Sequence, residues 1–544
     1  MALSRGCGRS ALVDRTKRAL HFSRGPMRSL SLATSLLCLS SCGEDGRKGD
    51  AKPPAGSHHL DSAASSIDTA DTGSPATSDD CTKVVSAEVS GWPESSGALN
   101  IGPKQACPSP LSATSYREVG AEFGLQESTN PGVDHTTGGV AVVDDFDLDG
   151  DLDFIVGFKD AQTTLYRNES GVFTAEDMGL EAGMGNNTIS LVDLDGDGRR
   201  DLVLPGPPVL LLMNTADGFT PRTEETLSTT PWVELAPGDF NGDGHMDLFG
   251  MLSASPMGTA STTPDHLLIN DGTGVFTAEP LPGDAPKGMG FDTVIFDWQQ
   301  DGDADAWVVN DQGARFGANV LWGNEDGELT DQSGACNCGI MQSGMGGDVG
   351  DYNNDGLPDL YGSATAVNAL LEGQADGTFL DVTLVTQASP LSGVGEMSWG
   401  AIFLDYDNDG HQDLLVAEGD LWYDSDTMAI REPMSLDLLR QEKTDGSRPR
   451  FVDTSSLLGD DLLRSWRAAV ARDLNQDGVL DLLVTDITDR PRLFLSEGCT
   501  DAGWLEVHAP IGSQVDICAD GLRQTRWSST ESSWGGAATP SVHF

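Results

Sequence analysis

Seven windows of the form Asp-x-[Asp/Asn/Gln]-x-Asp-Gly-x-x-Asp recur along this chain, starting at Asp145, Asp193, Asp239, Asp297, Asp351, Asp405 and Asp473. Each alternates oxygen-bearing side chains at positions 1, 3, 5 and 9, with glycine at position 6. A tight turn at that glycine lets one short loop wrap a hard cation, and position 7 needs to offer only its backbone carbonyl. The chemistry is calcium coordination, at up to seven sites.

The loops are not equal as donor sets. The first offers Asp145, Asp147, Asp149 and Asp153 with the carbonyl of Asp151. The second (Asp193, Asp195, Asp197, Asp201, with Arg199 at position 7) and the sixth (Asp405, Asp407, Asp409, Asp413, with His411) match it. One carboxylate becomes an amide in the third (Asp239, Asn241, Asp243, Asp247, with His245), the fifth (Asp351, Asn353, Asp355, Asp359, with Leu357) and the seventh (Asp473, Asn475, Asp477, Asp481, with Val479). Those three are expected to bind more weakly at equal geometry. The fourth (Asp297, Gln299, Asp301, Asp305, with Asp303 at position 7) uses a longer, more mobile amide and is expected to be the weakest. Arg199, His245 and His411 read as solvated side chains.

Such loops need elements to hold them. Apolar, β-prone runs stand on both sides, as in Gly139-Val-Ala-Val-Val143 and Phe154-Ile-Val156 around the first loop, so each loop is a turn between two strands. A third run and then an aromatic follow in most units, for example Leu165-Tyr-Arg-Asn-Glu-Ser-Gly-Val-Phe173. Loop starts are 48, 46, 58, 54, 54 and 68 residues apart, the period of a four-stranded propeller blade with variable loops. Blades hide their faces only by stacking round an axis. The expected fold class is all-β: a seven-bladed β-propeller over residues 114–498, closed by a strand from the Tyr116 to Val119 region or from the C-terminal segment. EF-hand-like loops would place a helix after the loop and a carboxylate at position 12, and neither is present.

Charge and motif content narrow the function. The net charge of -53 should repel nucleic acid and anionic lipid headgroups. The sequence has no Gly-x-Ser-x-Gly, no His-Glu-x-x-His and no phosphate-binding Gly-rich loop, and its loop carboxylates are committed to metal. A non-enzymatic protein is expected.

Arg24 and Arg28 precede an apolar run from Leu30 to Leu39, too short to span a bilayer and of signal-peptide length. The run ends in Leu39-Ser-Ser-Cys42, which resembles a bacterial lipobox, so residues 1–42 read as a lipoprotein signal with Cys42 as the lipidated anchor. Residues 43–113 are rich in Ser, Thr, Asp, Gly and Pro at their start and read as a flexible tether in the cell envelope. Six further cysteines suit an oxidising compartment. Proximity favours Cys81 with Cys107 and Cys499 with Cys518, while Cys336-Asn-Cys338 forms a tight local bridge or a redox pair.

Taken with their flanks, as in Trp399-Gly-Ala-Ile-Phe-Leu-Asp-Tyr-Asp-Asn-Asp-Gly-His-Gln-Asp-Leu-Leu-Val-Ala-Glu-Gly419, the loops resemble FG-GAP/VCBS repeats. The nearer resemblance is to the cartilage acidic protein family, whose propellers, like those of integrin α-subunits, carry calcium in such loops. Residues 499–544, including Gly503-Trp-Leu-Glu-Val507 and Val515 to Trp527, are similar to the ASPIC/UnbV segment that often ends these proteins, though shorter. The resemblance implies a calcium-stabilised binding or adhesion module, displayed at the cell surface, for a protein or polysaccharide ligand. A glycan-cleaving enzyme on the same scaffold and an envelope assembly partner are the alternatives. The insertion between Gly419 and Trp466, with Trp422, Tyr423 and the run Arg440 to Arg450, is a candidate contact surface.

Overall fold

The computed structural model describes residues 115–125 and 139–544, apart from 159–161, 181–187, 224–226, 228–229, 253–263, 283–287, 390–396, 421–432, 444–447, 488–489, 497–502 and the single positions 207, 231, 520 and 532. Three short strands before residue 101 are described by their backbone alone. Cys42, Cys81, Cys107, Cys499, Trp422 and Tyr423 lie outside the described residues.

Seven sheets form the blades, six of four antiparallel strands and that of blade 1 with a fifth, parallel strand beside its four. Their inner strands are Val140–Asp144, Ser190–Val192, Trp232–Gly238, Gly290–Phe296, Gly344–Gly350, Ser398–Leu404 and Trp466–Arg472. Every inner strand is almost wholly buried, because its two faces pack on the neighbouring blades. Blade 7 takes its outer strand from the other end of the chain, Tyr116–Glu118, which pairs antiparallel with Arg492–Ser496. This strand joins the two ends of the propeller sequence in one blade.

Burial follows the ring. One apolar cluster joins blades 1 and 2 through Ile155 and Leu202, another joins blades 3 and 4 through Phe249 and Trp322, and another joins blades 6 and 7 through Leu415 and Leu482. The ring closes where Val143 and Phe154 of blade 1 meet Val470 and Leu483 of blade 7. Each fully buried Leu, Ile, Val or Phe contributes about 1.5–3 kcal/mol, so the interblade seams carry most of the stabilisation.

The segment from Gly419 to Trp466 is less of an insertion than its spacing suggests. Leu436–Glu442 and Arg450–Asp453 are the third and fourth strands of blade 6, so Arg440 belongs to the blade.

Beyond blade 7, Glu506–His508 pairs with Ser541–His543, and Gln514–Ala519 forms a hairpin with Leu522–Trp527, around a core of Val507, Val515, Ile517, Val542 and Phe544. Between these strands the chain enters the propeller. Gly536–Ala538 lies parallel to the inner strand of blade 1, with Ala141 donating to the carbonyl of Gly535 at 2.9 Å and Thr539 to that of Val143 at 2.8 Å. Only small side chains fit there, and Ala537 and Ala538 are fully buried. At the hairpin tip Trp534 packs on Phe291 and Trp399, with ring centroids 5.2 and 6.0 Å away. The central channel of this propeller is therefore filled by its own C-terminal hairpin.

Candidate metal centres

All seven loops are built by one set of contacts. In each, the residue before position 1 pairs across the sheet with position 9, as Asp144 with Asp153, Gly350 with Asp359 and Arg472 with Asp481. Positions 1 to 8 are thus the whole connection between the inner strand and the next. The position 1 carboxylate accepts the backbone N–H of the position 6 glycine in every case, at 2.7–3.0 Å. In six loops it also accepts from position 5, and in the second from Gly196 instead. The position 5 carboxylate accepts from position 7, for example Asp409 from His411 at 3.0 Å. These contacts curl the loop and turn its remaining oxygens inward.

Position 9 is the pin. Asp153, Asp201, Asp247, Asp305, Asp359, Asp413 and Asp481 are all buried. Each accepts the N–H of position 2 through one oxygen and an N–H of the third strand through the other, as Asp359 does from Tyr352 (3.0 Å) and Gly373 (2.8 Å). One residue type both ties the blade together and faces the loop.

Two positions need left-handed backbone. The position 6 glycines have φ between 83° and 99°, the requirement that the sequence declares. Position 4 is left-handed as well, and only Gly196 and Gly242 meet it with glycine. Loops 4 to 7 use Gln300, Asn354, Asn408 and Gln476, whose side-chain amides reach sideways to the position 6 carbonyl of the next loop: Gly356, Gly410, Gly478 and Gly150, at 2.6–3.0 Å. A chain of amide links thus runs from blade 4 round to blade 1. Leu148 breaks the pattern, being exposed at φ 63° with no amide to offer. Leu148→Asn should therefore raise stability by roughly 1 kcal/mol in urea unfolding, by relieving left-handed strain. No gain would mean that the strain is absorbed elsewhere in the loop.

The donor atoms suit a hard dication. Carboxylate oxygens of Asp145, Asp147 and Asp149 lie within 4.8 Å of one another, as do those of Asp193, Asp195 and Asp197, and those of Asp405, Asp407 and Asp413. Loops 3, 5 and 7 interpose an amide: Asn241, Asn353 and Asn475 at position 3 each accept from the position 5 N–H at 2.9–3.0 Å. In loop 4 Gln299 reaches toward Asp301 instead, its Nε2 at 3.4 Å from the carboxylate. Burial, reinforced by the neighbouring carboxylates, pushes Asp201, Asp247, Asp351, Asp405 and Asp473 up to about 7, and Asp153 and Asp297 up to about 6. Burial outweighs what positive charge lies near them, Arg167 beside Asp153 and Arg526 near Asp351 and Asp405, and a dication would supply more.

Two arginines that the motif does not reveal also touch ligands. Arg167 lies 2.7 Å from Asp153 and 3.5 Å from Asp147, and Arg440 lies 2.8 Å from Asp407 and 3.0 Å from Asp409. A fixed cation at these distances would oppose a second one, so a dication in loop 1 or 6 would be held less tightly than four carboxylates imply. Both sit on third strands, 14 and 31 residues beyond the carboxylates they reach, and only the blade fold brings them there.

The C-terminal sheet roofs part of the loop face. A Cβ on Gly410 would meet Leu522 at 2.6 Å, one on Gly478 would meet Trp504, and one on Gly356 would lie 3.3 Å from Arg523, whereas Gly150, Gly198 and Gly302 face open space. A polar cavity of about 100 Å³ remains beneath the roof, lined among others by Asp405, Asp473, Arg526 and His543. Burial holds His543 down at about 4, hence neutral. Cys336 and Cys338 are bonded to each other and buried, and Cys518 is also disulfide-bonded.

A family model for the FG-GAP-like repeat matches residues 145–204 and 351–416, which contain loops 1, 2, 5 and 6. No curated protein matches the chain. Solved structures similar to it include a lectin of Agrocybe aegerita that recognises non-reducing terminal N-acetylglucosamine (16% identity, 65% of this chain and 86% of that one, TM-score 0.40). They also include YCF48 bound to a D1 peptide (10%, 72% and 99%, TM-score 0.40) and a rhamnogalacturonan lyase of Bacillus licheniformis (14%, 71% and 76%, TM-score 0.38). Likeness this distant carries no argument about ligand or reaction. Repeat match and strand order together identify the chain as a seven-bladed β-propeller with FG-GAP-like repeats.

Proposed function

We propose that this protein is a calcium-stabilised, non-enzymatic propeller that binds a protein or polysaccharide ligand, held in the cell envelope by a lipid on Cys42. The observation that carries the metal reading is the sevenfold loop geometry, in which the position 6 glycine N–H is bound by the position 1 carboxylate in every blade. The pinned carboxylates also argue against catalysis, since each position 9 acid already accepts two N–H groups and is not free to move a proton to a substrate. Membership of the cartilage acidic protein family, with residues 499–544 as an ASPIC/UnbV-like segment, is part of the same reading. With loops 5 to 7 roofed, Ile511 packed against loops 2 and 3, Gln514 bound to Gln300 of loop 4 and the channel filled, the surfaces left for a ligand are what stays open over blades 1 to 4, the opposite face and the outer blade edges.

The test is a screen of surface polysaccharides and envelope proteins against the purified protein, with and without calcium. Calcium-dependent capture with the ligand recovered intact supports the proposal. Turnover of a polysaccharide that survives substitution of the loop aspartates would replace it with the glycan-cleaving reading.

A further inference from the structure

The hairpin in the channel brings a carboxyl with it. Glu531 stands at its entry, bridged to Ala537 on the returning arm, with its Oε1 buried and without a hydrogen-bond donor. It faces Glu234 on the inner strand of blade 3 and Asp292 on that of blade 4, both buried. No N–H reaches either oxygen of Glu234, whose neighbours are the Asp292 carboxyl and the Thr293 side chain. Asp292 accepts the N–H of Gly347 on blade 5 at 2.6 Å, and the Thr293 N–H and the Glu234 carboxyl also bond to it. Ser190 of blade 2 lies beside Glu531. The charged groups nearest the hairpin otherwise are Arg200 and Arg472, which each donate to Thr539 at 2.8 Å, Asp348, which faces Asp292 and Arg472, and Arg467, stacked on Trp399 beside the tip. Among the described residues, the oxygens of the three acids are not all within 4.8 Å of one another, as those of loops 1, 2 and 6 are. Protons, not a cation, are left to neutralise them.

We propose that the C-terminal hairpin is a proton-locked plug: it stays in the channel while Glu531, Glu234 and Asp292 hold protons among them, and withdraws as they ionise, opening the channel to a ligand. The sign follows from burial. Glu234 and Asp292 are shut off from water and Glu531 largely so, and Glu234 and Glu531 also feel the negative field of Asp292, so all three carboxyls are held above the ordinary range, Asp292 at about 7 by burial. A withdrawn hairpin returns Glu531 to water and wets the other two. The inserted state therefore binds protons that the withdrawn state releases, and insertion weakens as pH rises through neutrality. Both ends of the hairpin stay anchored in the C-terminal sheet, by Leu522–Trp527 and Ser541–His543, so withdrawal does not require the propeller to unfold. Metal is not involved.

Hydrogen exchange by mass spectrometry on the full chain, in saturating calcium from pH 6 to 9, tests this after correction for intrinsic exchange. The expected result is a loss of protection of at least about tenfold for residues 533–539, while the inner strands of blades 5 and 6 keep theirs. Glu531→Gln should flatten that dependence, and Glu234→Gln provides the same reading if the first variant does not fold. Protection of 533–539 that ignores pH, an identical dependence in wild type and variant, or loss across the whole propeller at once would each overturn the plug.

Discussion

Removing calcium should lower the melting temperature by roughly 3 to 10 °C, and acidifying the metal-free protein toward about pH 5 should recover part of the loss. Extracellular calcium modules bind at about 0.1–1 mM, so millimolar calcium stabilises each loop by roughly 0.4–1.4 kcal/mol. Seven such loops give about 3–10 kcal/mol, and a propeller of this length melts about 1 °C lower per kcal/mol. The acid recovery follows from the loop carboxyls. Asp201, Asp247, Asp351, Asp405 and Asp473 titrate near 7 in the metal-free fold because burial disfavours their charge, whereas unfolded aspartate titrates near 3.9. Between those limits the metal-free fold holds more protons than the unfolded chain, so its stability falls as pH rises. With calcium present the same carboxyls are ionised by the metal, protons compete with it, and the slope reverses. Thermal melts across that pH window, with calcium and with chelator, should cross in slope. Parallel curves would mean that the buried acids are neutralised by something other than calcium.

The second large effect belongs to the pins. Asp481→Ala should cost about 3–5 kcal/mol in urea unfolding and Asp481→Asn roughly half that. Asp481 is fully buried and accepts from Leu474 at 3.0 Å and Ser496 at 2.8 Å, tying loop 7 to the strand on which Tyr116–Glu118 docks. Alanine leaves two buried N–H groups without acceptors, each costing about 1–3 kcal/mol, whereas asparagine keeps one oxygen. The penalty should persist in chelator, because the hydrogen bonds do not need the metal. A cost below about 1 kcal/mol for alanine, or one that vanishes in chelator, would assign position 9 to the metal alone.

Much of this architecture was legible in the sequence for a physical reason. Position 6 must be glycine, position 9 must be a carboxylate, and apolar strands must flank both, so a local pattern reports a local constraint seven times. What stayed hidden is set by distance. Arg167 and Arg440 meet their loops only after the blade folds, and the amides at Gln300, Asn354, Asn408 and Gln476 serve the neighbouring blade instead of their own loop. Asp292 looks like any acid in a strand until Glu234 and Glu531 arrive beside it. The run Gly535-Gly-Ala-Ala538 was the one local sign of the channel hairpin, small residues in a row where a blade strand would carry bulk.

The most direct test of the central claim is metal counting by native mass spectrometry on the folded protein in dilute calcium, repeated for Asp193→Asn and Asp473→Asn. The expected result is a series that approaches seven calcium ions and loses one ion for each variant, with loops 1, 4 and 6 filling last. A folded protein that binds no calcium at millimolar concentration would contradict it, leaving seven loops shaped for a cation and held by hydrogen bonds alone.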